Sequence, residues 1–251
     1  MSISFDILII IGIVGFYIYD SAYLYFYNEF NIHKGLGSRF KSQLISRQFN
    51  VSHKYLFIPN LLLSHQLLFK CIWKIKDPEP ALHTHDINHL KHISQTLKPL
   101  QWVNIIVFIL TVAVLPCLIA FKAGYLAVAI ILVVIYSLNL ISILFVIVKR
   151  KKLQLSWLKI IQLLLDALLC PPFALNLLRK ISLNYHAKTD GILLAAQLLN
   201  PQQYQHLLDE ILLDIQALKI ASNEKNIAQL ELREQQLLQL KRHLSTHKKL
   251  A

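Results

Sequence analysis

Glycine is scarce in this sequence, with six among 251 residues. Tight phosphate cradles are built on glycine, and no G-x-x-x-x-G-K-[ST] occurs. G-x-S-x-G and H-E-x-x-H are missing too, which removes the nucleophile elbow and the zincin signature. Cysteine is rarer: Cys71, Cys117 and Cys170, an odd number with no C-x-x-C. That excludes a disulfide framework, and Cys117 and Cys170 read as small apolar side chains. Charge is also short, at 16% of residues against about 25% in an ordinary soluble domain. What charge there is leans to one sign, with 26 Lys and Arg against 14 Asp and Glu.

The residues present point to a bilayer. Hydrophobic residues make up 55% of the chain and mean hydropathy is +0.47. About 20 apolar residues cross a bilayer core. Phe5 to Phe26 can do so, and the segment lacks the basic start and small-residue cleavage site of a signal peptide. Tyrosines 17, 19, 23, 25 and 27 crowd its far end, as at a headgroup boundary. Residues 102–121 and 125–148 form two further runs joined by a short turn, which predicts an antiparallel hairpin. Lys149, Arg150, Lys151 and Lys152 directly follow, where cytoplasmic anchors and contacts to anionic headgroups belong. Basic charge set beside apolar runs argues for a membrane partner and against nucleic acid.

These features predict an all-α integral membrane protein of about three transmembrane helices in a cell inner membrane. The N-terminus is outside, because positive charge stays on the cytoplasmic side, and the C-terminus is cytoplasmic. The expected divisions are 1–30, a first transmembrane helix; 31–101, a basic cytoplasmic connection; 102–148, the hairpin; 149–185, a basic run and broken helix pair; and 186–251, cytoplasmic helices. Within the connection, residues 56–76 read as an interfacial helix with Trp73, Lys70 and Lys74 at the headgroups.

The stretch DALLCPPFALNLLRK, residues 166–180, breaks its own backbone at Pro171 and Pro172. As one span it would carry two prolines and Asp166 into hydrocarbon, where freed carbonyls need other partners. A helix to Leu169 that breaks and returns keeps Arg179 and Lys180 on the side of Lys149 to Lys152. That predicts a re-entrant or interfacial helix pair. Asp166 and Asp20 are then the intramembrane polar candidates, as proton or cation ligands or as groups bonded near the headgroups. Thr111 and Asn139 both lie about 15 Å deep at 1.5 Å per residue and are expected to meet across the hairpin.

His85, His89 and His92 fall on one helical face, the strongest metal-like pattern, with Asp86 as an orienting neighbour. Zinc is the metal such a face would take, histidines exposed beside anionic headgroups are the simpler reading, and no cofactor is otherwise expected. In the tail, a helix starts at Pro201 after Asn200. Leu208, Ile211, Ile215 and Leu218, then Leu230 and Leu237, suggest a helical hairpin or short coiled coil. Residues 201–251 would serve a protein partner or a second copy. Three functions follow as expectations. The first is an interaction, scaffold or regulatory protein working through its cytoplasmic helices. The second is an oligomeric transporter or channel subunit using Asp20 or Asp166. The third is a lipid-modifying or metal-dependent membrane enzyme using His83, His85 and His89.

Overall fold

The computed structural model describes residues 5–74, 84–221 and 224–247. It is mostly helical. Helix α1 spans Phe5–Asp20 and closes on Ser21, whose backbone N–H and Oγ both donate to the Tyr17 carbonyl. The sequence put a helix through residue 30, with its span reaching Phe26. The chain instead enters strand β1 at Tyr23–Tyr25. Alternating aromatics suit a pleated surface. Tyr25 is buried and donates to Asn31 Oδ1 at 2.7 Å, so it is no part of an interfacial belt.

The all-α expectation fails here. Strands β2 (Glu29–Lys34), β3 (Lys41–Gln43), β4 (Asn50–Val51), β5 (Lys54–Phe57) and β6 (Leu67–Ile72) join β1 in two antiparallel sheets. Their orders are β1-β5-β4 and β3-β2-β6, with Tyr25 opposite Tyr55 and Ile32 opposite Phe69. The interfacial helix expected over 56–76 is therefore absent. Its described residues are the end of β5, a 3₁₀ turn at Leu61–Leu63 and β6. Pairing with β2 gives the β6 backbone its partners, and Glu29 takes Lys70 at 2.7 Å. Trp73 is buried, edge-on to Tyr27, rather than at a surface. The helix stop read at 76–80 lies outside the described residues.

Helix α2 (Thr84–Thr96) leads into α3 (Lys98–Ala120) and α4 (Tyr125–Val148). Both α3 and α4 are long and apolar enough to cross a membrane by length and composition, and little of either is buried inside the protein. Their connection uses two left-handed residues, Lys122 and Gly124. Midway along α3 the helix widens to a π turn at Leu110–Val114, with the Leu115 N–H bonded to the Leu110 carbonyl. Pro116 is the cause: it has no N–H to give and its ring crowds the preceding turn. Helix α1 lies against the second half of α3, with Tyr17 edge-on to Phe108.

After a single turn at Arg150–Leu153, α5 runs over Trp157–Leu169, capped by Ser156 Oγ. Cys170 is extended, as the residue before a proline must be. Pro171 and Pro172 open one turn, Pro171–Ala174, and the chain returns as α6 (Leu177–Leu183). The tip of this broken pair reaches into the bundle. Leu175 is buried there in one cluster with Tyr17, Val107, Leu115 and Ile135. The feet return to the sheets: Leu153, Ile160 and Ile181 join the cluster of Phe30, Ile32 and Phe69.

Helix α7 (Gly191–Leu198) starts on Asp190, whose Oδ1 accepts from the Ile192 N–H. Gly191 sits so close to the sheet that a Cβ there would lie 2.8 Å from Phe30 Cε1. Asn200 Oδ1 accepts from the Gln203 N–H, and α8 begins at Pro201 and runs to Ala221. With α9 (Glu224–His247) it makes a helical hairpin. Leu208, Ile211, Ile215, Leu230 and Leu237 bury its seam in the core shared with the sheet. Arg47 pairs with Asp214, and the buried Arg233 pairs with Asp190, so both tail helices are tied to the rest. Residues 248–251 lie outside the described residues.

Candidate functional site

The two candidate aspartates, 146 positions apart, meet on one lysine. Asp20 ends α1, where the helix carbonyls already present a negative pole, so a carboxylate there needs a cation. Asp166 lies one turn before the break in α5. Lys180, on the returning α6, puts its Nζ 2.8 Å from Asp20 Oδ1 and 2.7 Å from Asp166 Oδ2. The diproline makes this possible by reversing the chain between Asp166 and Lys180. The amine also lies 5.2 Å from the centre of the Phe173 ring, and Phe173 meets Phe16 edge-on. Pro171 and Pro172 thus act through position, with no polar atom of their own at the cluster.

A second cation lies deeper. Arg179 is fully buried and faces no carboxylate at ion-pair distance among the described residues. Its Nη1 donates to Asn176 Oδ1 at 3.0 Å; its Nη2 donates to the carbonyls of Asn60 and Leu63 at 2.7 and 2.9 Å. Nε has no partner. Asn176 connects the two halves, because its Nδ2 donates to Asp20 Oδ2 at 3.0 Å and to Ser21 Oγ at 2.9 Å. Two acids and two bases therefore form one chain of contacts: Arg179, Asn176, Asp20, Lys180, Asp166. The formal charges sum to zero, the condition under which buried ions are tolerated.

The same segment is fastened to its surroundings on three sides. Asn104 of α3 donates to the Leu175 carbonyl at 3.1 Å and accepts from Ser64 Oγ at 2.7 Å. Ser182 Oγ accepts from the Leu68 N–H at 2.9 Å. Tyr17 donates to the Leu61 carbonyl at 2.6 Å. The cluster is thus a junction between bundle, broken helix pair and sheets. From sequence alone Arg179 and Lys180 read only as anchors beside a membrane, and nothing there singles out Asn176 or Ser21. The available signal was a cation pair on the returning helix facing an aspartate on the outgoing one.

Thr111 and Asn139 do not make the expected bond. Both are buried, but Thr111 Oγ1 and Asn139 Nδ2 have no hydrogen-bond partner among the described residues. Regular helices would put the two side chains at one level, but Thr111 sits inside the π turn, which shifts side-chain directions along α3. Lys149 to Lys152 remain at the end of α4, with the Arg150 guanidinium 4.3 Å above the Trp157 ring.

In the histidine stretch, His85 and His89 stack with ring centres 5.9 Å apart, and His89 leans on Tyr185. Burial, then the neighbouring His85, holds the His89 imidazole below its ordinary range. His92 is exposed, and His83 lies outside the described residues. Asp86 makes its hydrogen bonds to other groups. It accepts from Tyr185 Oη, the Lys188 N–H, and both the N–H and Oγ1 of Thr189, tying α2 to the loop before α7. Among the described residues no three metal-ligating side chains converge. No protein-family model, curated protein or solved structure matches this chain.

Proposed function

We propose that this chain is an integral inner-membrane protein with three spans and a re-entrant helix pair, and that it serves as an interaction or regulatory protein on the cytoplasmic side. In this reading α1, α3 and α4 cross the bilayer and α5 to α6 enter and leave on one side. The N-terminus lies outside, and the sheets and the α8–α9 hairpin lie inside. Exposed apolar side chains support it. Phe5, Ile11, Leu126, Val133, Leu158 and Leu169 stand open on these helices, far more than a soluble monomer leaves to water. Helix α5 is exposed at Leu158, Ile161 and Leu165, one continuous face that suits acyl chains.

The observation that carries the functional part is Lys180 between Asp20 and Asp166. A proton or cation pathway needs a carboxylate free to bind its ion, and here an internal amine already holds both. The broken helix pair is also bonded to strand β6 through Ser182 and to the turn before it through Arg179. A signal at one can therefore be felt by the other without any ion passing.

Two measurements test this. For topology, Cys117 and Cys170 are changed to Ala, buried Cys71 is kept, and single cysteines at Lys122, His186 and Ala251 are labelled in intact cells. Labelling at Lys122 alone is expected; labelling at His186 would make 157–183 a crossing span and sink the re-entrant reading. For function, the protein is reconstituted in liposomes holding a pH dye or a cation dye. No flux sensitive to Asp20→Asn or Asp166→Asn is expected, and such a flux would establish transport instead.

A further inference from the structure

Several cations of this protein have internal counter-ions, as Lys70 has Glu29, Lys180 has two aspartates and Arg233 has Asp190. One group converges without any among the described residues. Lys34 at the end of β2, Arg39 in the loop to β3, Lys91 on α2 and Lys98 at the start of α3 all line a single open crevice of about 600 Å³. No acidic side chain lines it among the described residues. Its other walls are neutral, including Ser38, Gln95 and Asn200. The loop between β2 and β3 also borders a second opening of about 330 Å³, which shares Arg39 and adds Lys41 and His33.

Lys34 is the organised member of the set. Its Nζ donates to Ser94 Oγ at 3.1 Å and lies 4.6 Å from the centre of the Phe40 ring. Burial, and then the charges of Lys98 and Lys91, hold its amine below the ordinary lysine range. Among the described residues, like charges thus gather around this crevice with no carboxylate on its walls to offset them. An anion seated there would relieve the repulsion and find donors already in place.

We propose that this crevice binds a phosphate-bearing anion, held by Lys34, Arg39, Lys91 and Lys98. Phosphate suits the set better than a single carboxylate. It carries more charge and more acceptor oxygens, and it takes both an arginine fork and lysine point charges. The volume falls in the range of small-molecule sites, so the ligand is larger than one phosphate ion, such as a diphosphate or phosphodiester. Lys98 begins α3 and Trp102, one turn on, is exposed, so a phospholipid headgroup and a soluble phosphate compound can both reach the crevice. The site does not depend on how the helices lie in a bilayer, and it is tested in detergent.

The full chain is purified in neutral detergent. Inorganic pyrophosphate binding is followed by calorimetry, and retention of added phosphatidylglycerol by native mass spectrometry. Lys91 and Lys98 are exposed, so the double variant Lys91→Gln/Lys98→Gln keeps the fold. It should weaken binding at least about tenfold, the loss of roughly one charged hydrogen bond. Lys122→Gln/Lys188→Gln removes the same charge from exposed positions elsewhere and should change nothing. Variant-sensitive pyrophosphate binding supports the site with a soluble ligand; variant-sensitive lipid retention alone supports it with a headgroup. Binding of neither probe, or equal weakening by the two double variants, overturns it.

Discussion

Replacing Lys180 with methionine tests the central cluster most directly. Methionine keeps most of the apolar stem of lysine and removes the charge. Asp20 and Asp166 would then face one another across the space that Nζ fills, each having lost a contact of 2.8 Å or less. Their side chains are only 13% and 26% exposed, so water cannot fully replace the amine. Removing one partner of a buried ion pair costs about 3–5 kcal/mol. The partial exposure of Asp166 puts the expected loss near the lower end of that range. The assay is a denaturant titration in mixed micelles, followed by tryptophan fluorescence. A second variant, Asp20→Asn/Asp166→Asn/Lys180→Met, removes all three charges at once. It should recover most of the loss, because an apolar or neutral replacement for a whole buried ion set is often close to neutral. In that variant Asn176 would still find an acceptor, the amide oxygen standing where the Asp20 carboxylate was. A loss below about 1 kcal/mol for Lys180→Met, the range of surface pairs, would refute the reasoning. So would a triple variant as unstable as the single one.

Three further outcomes are expected. Gly191→Ala should lose about 1–3 kcal/mol in the same titration, because its Cβ would meet Phe30 Cε1 at 2.8 Å and the Ile72 carbonyl at 3.0 Å. Asp86 should contribute stability that acid removes. Burial alone would raise its carboxyl, but the bonds from Thr189, Tyr185 and Lys188 outweigh burial and hold it below the ordinary range. A depressed folded value stabilises above the unfolded value, near pH 4, and that share disappears as pH falls through the folded one. Asp86→Asn should cost about 1.5–3 kcal/mol at neutral pH and flatten the acid limb of the stability curve; an unchanged limb would count against it. Finally, burial pushes the Cys71 thiol up to about 12, so a thiol reagent at pH 8 should modify it only after denaturation, as peptide mapping of the labelled protein would show.

The apolar runs of α3 and α4, the break at Pro171 and Pro172 and the helix start at Pro201 were all legible in the sequence. Each rests on a local property: hydropathy over some twenty residues, or the backbone limits of proline, which act wherever the residue stands. The strands were not legible. Strand β2 reads EFNIHK, and its buried Glu29 and Asn31 look polar until Lys70 and Tyr25 meet them from elsewhere in the chain. A strand buried on both faces has no alternation to reveal it. The end of α1 was misread for a related reason, since tyrosines suit a membrane boundary and a strand equally.

At the junction the sequence determined that Asp20 and Asp166 are costly in an apolar setting and require partners. It did not determine the partners. Lys180 reaches Asp20, and Asn176 reaches both Asp20 and Ser21, across 155 or more positions in the chain. The basic crevice likewise draws Lys34, Arg39, Lys91 and Lys98 from a strand, a loop and two helices. Composition and local periodicity set which segments are apolar and where the backbone must break. Only the packing of those segments decides which charges are neutralised inside the protein and which, among the described residues, gather without a counter-ion.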